Sequence, residues 1–271
     1  MPIVVHMLES TFIFLKGIGE FSERRLWEDG VTTWDAFLDS PILPGISRAR
    51  KSLYDPDVSA AREQFARRNA RYFSHCLKPR DHWRLFGAFR SRTVFLDIET
   101  TGTAPHEGEV TMVGLYSAGS MTTLIRNDSL TGQRLADELD RYDLIVTFFG
   151  SAFDLPFLKA KYPRLRLDQP HFDLCFAARR LGYHGGLKQI ESTLGITRHS
   201  SVQGMDGWEA VRLWYQWQAG DEHALSRLVT YNAADTKNLE PLAEHLYHEL
   251  VERYGPAVLR RERPQSTFQK D

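Results

Sequence analysis

Residues 94–102 run VFLDIETTG, an apolar stretch with two acids set inside it. Val94, Phe95, Leu96 and Ile98 predict a buried strand. Side chains alternate across a strand, so Asp97 and Glu99, two residues apart, project from one face. On a half-buried surface two like charges repel each other and lose hydration. A shared proton, basic partners or a metal ion can each compensate them.

The rest of the chain limits what such a strand can belong to. A length of 271 residues allows one large domain or a medium one plus a small one. With 42% hydrophobic and 25% charged residues the composition is globular and argues against overall disorder. No apolar run reaches the roughly 18–20 residues of a membrane helix. The opening MPIVVHMLES lacks the basic flank and long apolar centre of a cleaved signal. Cys76 and Cys175 are too few for a disulfide framework or a cysteine-rich zinc site, so a reducing, cytoplasmic setting is expected. The net charge of −1 divides into about +4 over residues 1–92 and about −5 over the remainder. A polyanion binder with a carboxylate-lined, metal-loaded site has that asymmetry, and ordinary surface variation can also give it.

The pattern predicts an all-helical segment over 1–76, a connector over 77–92, an α/β domain over 93–255 and a polar tail over 256–271. Strands are expected at 93–98, 109–118, 121–126 and 142–148, the first three as an antiparallel meander. Helices are expected at 129–139, 154–161, 173–181, 186–194, 207–218 and 222–249, with Pro241 kinking or dividing the last near Glu240. In the first segment, DVSAAREQFARRNARYFSHCL (57–77) predicts one long helix made basic by Arg62, Arg67, Arg68 and Arg71.

Further acids recur in two places. Asp154 opens the helix after the strand at 142–148, a position where an aspartate also serves as a cap. Tyr231 and Asp235, in LVTYNAADTKNL, are four apart and share a helical face, a pair common on surfaces. The order Asp97-Ile98-Glu99, then Phe153-Asp154, then Tyr231-x-x-x-Asp235 resembles the three motifs of the DnaQ-like 3′–5′ exonucleases, in their tyrosine variety, within the ribonuclease-H-like superfamily. Over roughly 93–250, GLKQIESTLGI, GMDGWEAVRLWYQW and LVTYNAADTKNLEPL are most similar to the YprB-like group. One position departs: Phe149-Gly150 stands where relatives often carry asparagine-glycine, so an aromatic replaces a polar group.

The resemblance implies a mixed sheet flanked by helices, α/β in class, preceded by a small all-helical domain. It also implies a metal-dependent nuclease, a 3′–5′ exonuclease on single-stranded DNA or RNA ends. Two divalent cations, Mg²⁺ or Mn²⁺, would be held by Asp97, Glu99, Asp154 and Asp235, because hard cations take oxygen ligands. Asp97 would bridge both ions, Glu99 and Asp235 would hold the one on the nucleophile's side, and Asp154 would support the other through water. Tyr231 would orient the attacking water; a phenol with a pKa near 10 is a poor base. The alternative is a catalytically weak module that binds nucleic acid and recruits partners.

Among neighbouring residues, Asp173 is expected as a helix cap, Lys188 and His184 as exposed side chains, and Trp208, Trp214 and Trp217 as packing residues. LKGIGEFSERRL (15–26) resembles a helix-hairpin-helix, whose glycine turn brings backbone N–H groups to a phosphate. Lys16, Gly17, Gly19, Arg24 and Arg25, with Arg67 and Arg71, are therefore the expected nucleic-acid contacts outside the carboxylate site.

Overall fold

The computed structural model describes residues 6–198, 204–205 and 207–260. Its centre is a five-stranded mixed sheet of order β3-β2-β1-β4-β5. β1 (Thr93–Thr100) and β3 (Ser120–Ile125) flank β2 (Val110–Ser117) as the expected antiparallel meander, while β4 (Leu144–Thr147) and β5 (His171–Asp173) continue in parallel beyond β1. β5 lies where the sequence predicts no strand. Three residues are too few to show an alternating pattern, and only its register against β4, Ile145 opposite His171, defines it.

Alternation along β1 sorts its residues between two cores. Val94, Leu96 and Ile98 pack with Leu135 and Leu139 of α6 (Gly132–Leu139) and with Phe157 and Leu158 of α7 (Asp154–Lys161). Phe95 faces the other side, packed with Leu239, Leu242, Ala243 and Leu246 of α11 (Glu222–Tyr254). Asp97 and Glu99 continue that second face, so the acids point at α11. α8 (Leu174–Leu181), α9 (Leu187–Thr193) and α10 (Gly207–Gln218) precede α11, and α12 (Ala257–Arg260) follows it. The rest of the predicted tail, from 261, lies outside the described residues. α11 runs through Pro241 undivided, so of the two expected effects of the proline the division does not occur. Leu239, Leu242 and Ala243 on either side of the proline are fully buried, and their packing offsets its missing backbone bond.

The N-terminal segment holds α1 (Glu20–Glu28), α2 (Trp34–Asp39), α3 (Arg48–Ala66) and α4 (Ala70–Cys76). The single helix predicted over 57–77 is two. Arg68 takes a left-handed φ of 56° and Asn69 caps α4 by accepting from the Tyr72 N–H, a local stop that basic composition does not reveal. The stretch before Gly17 is a series of tight turns rather than the first helix of a hairpin. Glu23 explains it: its carboxylate accepts from the Phe12 and Ile13 N–H groups and is bound by buried Arg84 at 2.8 and 2.9 Å. Residues 77–92 form two 3-10 turns around α5 (Phe86–Phe89), and Trp83, Leu85, Phe86 and Phe89 are core residues. No helix among the described residues is long and apolar enough to cross a membrane.

Candidate active site

Three distant segments meet on the α11 face of β1. Asp97 and Glu99 arrive on the strand. Asp154, the first residue of α7, turns back so that its Oδ1 accepts from the Ile98 N–H at 3.2 Å. Tyr231 and Asp235 come from α11 and line one cavity of about 370 Å³ with Asp97, Glu99, Phe153 and Trp208. The sequence-predicted site residues Asp97, Glu99, Asp154, Tyr231 and Asp235 are thus neighbours.

Close approach of helix to sheet makes this meeting possible. Gly114 of β2 is the register partner of Asp97. A Cβ there would stand 2.3 Å from Asn232 Oδ1 and 2.4 Å from Thr236 Oγ1, so only glycine lets α11 settle this low. Asn232, wholly buried, then donates from Nδ2 to Asp97 Oδ2 at 3.0 Å and Glu99 Oε1 at 3.4 Å. It is a polar clamp that the sequence reading missed. Its signal was its place beside Tyr231, with Thr236 four residues on.

The site is electrostatically unsatisfied. Burial, then repulsion from Glu99, Asp154 and Asp235, pushes the Asp97 carboxyl well above its usual range. Burial and then Asp235 push Glu99 up to about 8, and burial raises Asp154 to about 7 against the pull of its backbone N–H donors. Asp97, Glu99 and Asp154 have no ion-pair partner among the described residues. Asp235 has one: Arg198 bridges it to buried Glu191. Burial, then the carboxylates of Asp235, Glu99 and Asp97, raise the Tyr231 phenol far above its ordinary value, so it is a proton donor at neutral pH. Lys188 donates to its oxygen at 3.3 Å and lies 5.0 Å from its ring centroid, which places this lysine in the site rather than in open solvent.

An oxygen-only donor set with this uncompensated repulsion fits a hard divalent cation. As the side chains stand, no three of the described acids, histidines or cysteines gather closely enough to form a finished ligand set, and the nearby positive charges are Arg198, paired with Asp235, and Lys188, on the Tyr231 oxygen.

Nearby, Asp173 is the expected cap of α8, accepting from the Cys175 N–H at 3.1 Å, and it also binds the turn after β4. Trp214 is buried and Trp217 packs against the same cluster, but Trp208 is 75% exposed at the cavity's rim. His184 is exposed. The other predicted nucleic-acid contacts lie elsewhere. Arg67 and Arg71 are held by Glu63 and Asp140, whereas Lys16, Arg24 and Arg25 are exposed beside Gly17 and Gly19, with no ion pair among the described residues.

The sequence model of the RNase_H superfamily matches residues 94–247. No curated protein matches the chain. Among solved structures, the family B DNA polymerase of the archaeon Pyrobaculum calidifontis is similar with a TM-score of 0.50 and 17% identity, over 60% of this chain and 25% of the polymerase. Brucella melitensis NrnC bound to pGG gives 0.46 and 24% over 63% and 78% of the two chains. The same protein with bound Mg²⁺ gives 0.44 and 23% over 63% and 79%.

Proposed function

Because this chain belongs to the RNase H superfamily, we propose that it is a metal-dependent nuclease, of the DnaQ-like and YprB-like kind, removing nucleotides from 3′ ends of single-stranded DNA or RNA. One observation carries the proposal: carboxylates from β1 and α11 line one small cavity with a protonated phenol, the α7 carboxylate of Asp154 is held on the β1 backbone between Asp97 and Glu99, and three of the four acids have no cationic partner among the described residues. Asp97, Glu99, Asp154 and Asp235 are the residues that would hold Mg²⁺ or Mn²⁺. When bound, two such ions supply the acidity to form hydroxide at neutral pH and the charge to steady a departing alkoxide.

The chain's own groups do the rest. Asn232 bridges and orients Asp97 and Glu99 by donating to both. Tyr231, still protonated, donates a hydrogen bond to an attacking water or a phosphate oxygen, and Lys188 fixes the phenol oxygen from behind. Phe153, Val211 and Trp208 give the cavity apolar walls that suit a sugar or an unpaired base. Lys16, Arg24 and Arg25 offer a second, purely electrostatic contact to the phosphate backbone. A reducing, cytoplasmic setting belongs to the same proposal, since Cys76 and Cys175 are both free.

The test is incubation of 5′-labelled single-stranded DNA and RNA with Mn²⁺, beside the Asp97→Ala variant. A ladder of products that disappears in the variant is expected. Persistence of both substrates with the unaltered chain, at concentrations where it binds them, overturns the nuclease in favour of a binding module.

A further inference from the structure

We propose that Phe149, Phe176 and Arg179 form a nucleobase-stacking subsite that holds single-stranded nucleic acid beside the carboxylate cavity. The proposal rests on the nuclease reading above and deepens it by stating how the strand is gripped.

Phe149 is the first reason. It leaves β4 with φ at +64°, a left-handed conformation that a bulky residue adopts at a cost glycine or asparagine would largely avoid. Core packing does not explain that cost, because the side chain is 39% exposed. Its ring faces Phe176 of α8, itself 45% exposed, with centroids 6.0 Å apart and planes 31° from parallel. A strained backbone that displays an apolar ring to solvent points to a ligand for the ring.

Arg179 is the second. Its guanidinium carbon lies 5.9 Å from the Phe149 centroid and 5.5 Å from that of Phe176, and among the described residues it has no ion pair. Two tilted π-faces beside a guanidinium that rests on the rings and has no ion pair among the described residues suit a base next to its phosphate: the rings take the flat face, the cation takes the anion. A duplex keeps those faces stacked inside, so an unpaired strand is the occupant. The patch offers little base-edge hydrogen bonding and does not discriminate sequence.

Placement is the third. The Phe149 carbonyl accepts from the N–H groups of Ala152 and Phe153 at 3.1 and 3.2 Å, so one tight turn separates the patch from Phe153 in the cavity wall and from Asp154. Asp173 fixes both halves. Its Oδ1 accepts from the Phe149 and Cys175 N–H groups, and its Oδ2 accepts from Ser151 N–H and Oγ–H, tying the β4 turn to the start of the helix that carries Phe176 and Arg179.

The experiment is fluorescence anisotropy of the full chain with 5′-fluorescein dT12 and with an abasic 12-mer, in Ca²⁺, alongside Tm. Phe149→Gly and Phe176→Ala are each expected to weaken dT12 binding about tenfold and to leave the abasic strand unchanged. Phe149→Gly is expected to keep or raise Tm, since it relieves the backbone. Arg179→Gln is expected to weaken both strands and to flatten the salt dependence by about one phosphate contact. If the unaltered chain binds dT12 and all three variants bind it equally well, the subsite is overturned and the nuclease reading stands. If the unaltered chain neither binds dT12 and U12 in Ca²⁺ nor cleaves either of them in Mn²⁺, the nuclease reading falls and takes the subsite with it.

Discussion

At the residue scale, position 114 decides whether the site exists. Gly114→Ala would drive a methyl group into Asn232 and Thr236, so the buried helix must rise from the sheet or Asn232 must release Asp97. The expected outcome is a destabilisation of about 1–3 kcal/mol in denaturant melts, with loss of Mn²⁺ binding by calorimetry. Asn232→Ala, which leaves a hole in place of a clash and removes both hydrogen bonds to the acids, is expected to lose the same binding. Titration reads the same cluster. Glu99 at about 8 and Asp154 at about 7 lie above the ordinary carboxylate range because burial, with neighbouring acids, disfavours their charge. A pKa raised by folding contributes stability that is complete below the unfolded value, near 4, and is lost as pH climbs through 7 and 8. Metal-free protein is therefore expected to melt at lower temperature at pH 9 than at pH 6, and Glu99→Gln or added Mn²⁺ to flatten that fall. The Asp97–Glu99 pair was legible because a period of two needs only local sequence. Asn232, Lys188 and Arg198 were not, because their roles depend on how low α11 packs and where the chain after α9 returns.

At the element scale, short pieces held by side chains escaped the sequence, whereas long periodic ones did not. α7 and α10 stand where their apolar spacing predicts, while β5 has three residues and no pattern. β5 nevertheless matters, since it ends in Asp173, which gathers four hydrogen bonds from the turn after β4 and from α8. Asp173→Ala strands the Phe149 and Ser151 N–H groups and uncaps α8. A hydrogen bond to a charged acceptor contributes roughly 1.5–3 kcal/mol net, and water reaches the freed N–H groups here, so a total loss of about 2 kcal/mol is expected. Asp173→Asn, which keeps an acceptor, should recover about half, measured by urea denaturation. If both variants melt like the unaltered chain, the turn is held by something other than Asp173.

At the scale of the whole molecule, the change from helical to alternating pattern near residue 93 is visible in the sequence, but the core does not break there. Trp34 stacks on Phe73 and meets Phe65, Phe65 meets Phe89, and Phe86 of the same short helix meets both Phe172 and Tyr247. This aromatic chain links α2 to β5 and α11 without a polar gap. Gly87 permits the last step, for a Cβ there would fall 2.2 Å from the Tyr247 hydroxyl. Charge follows the same route: Glu23 in α1 is paired with Arg84 in the 77–92 segment, both about 1% exposed. Composition shifts mark where a pattern changes, not where apolar faces stop touching, so the continuity was hidden. Its consequence is cooperative. Glu23→Ala leaves the Arg84 charge buried and alone and frees the Phe12 and Ile13 N–H groups, which is expected to cost about 3–5 kcal/mol. That cost should appear as one shifted transition in a chain whose Trp208, Trp214 and Trp217 are changed to Phe, so that fluorescence reports Trp27, Trp34 and Trp83, coinciding with far-ultraviolet dichroism, weighted toward the sheet and α11. Two separated transitions, with only the fluorescence one moved by the substitution, would mean that the helical segment folds on its own and the shared core is not what holds the site in place.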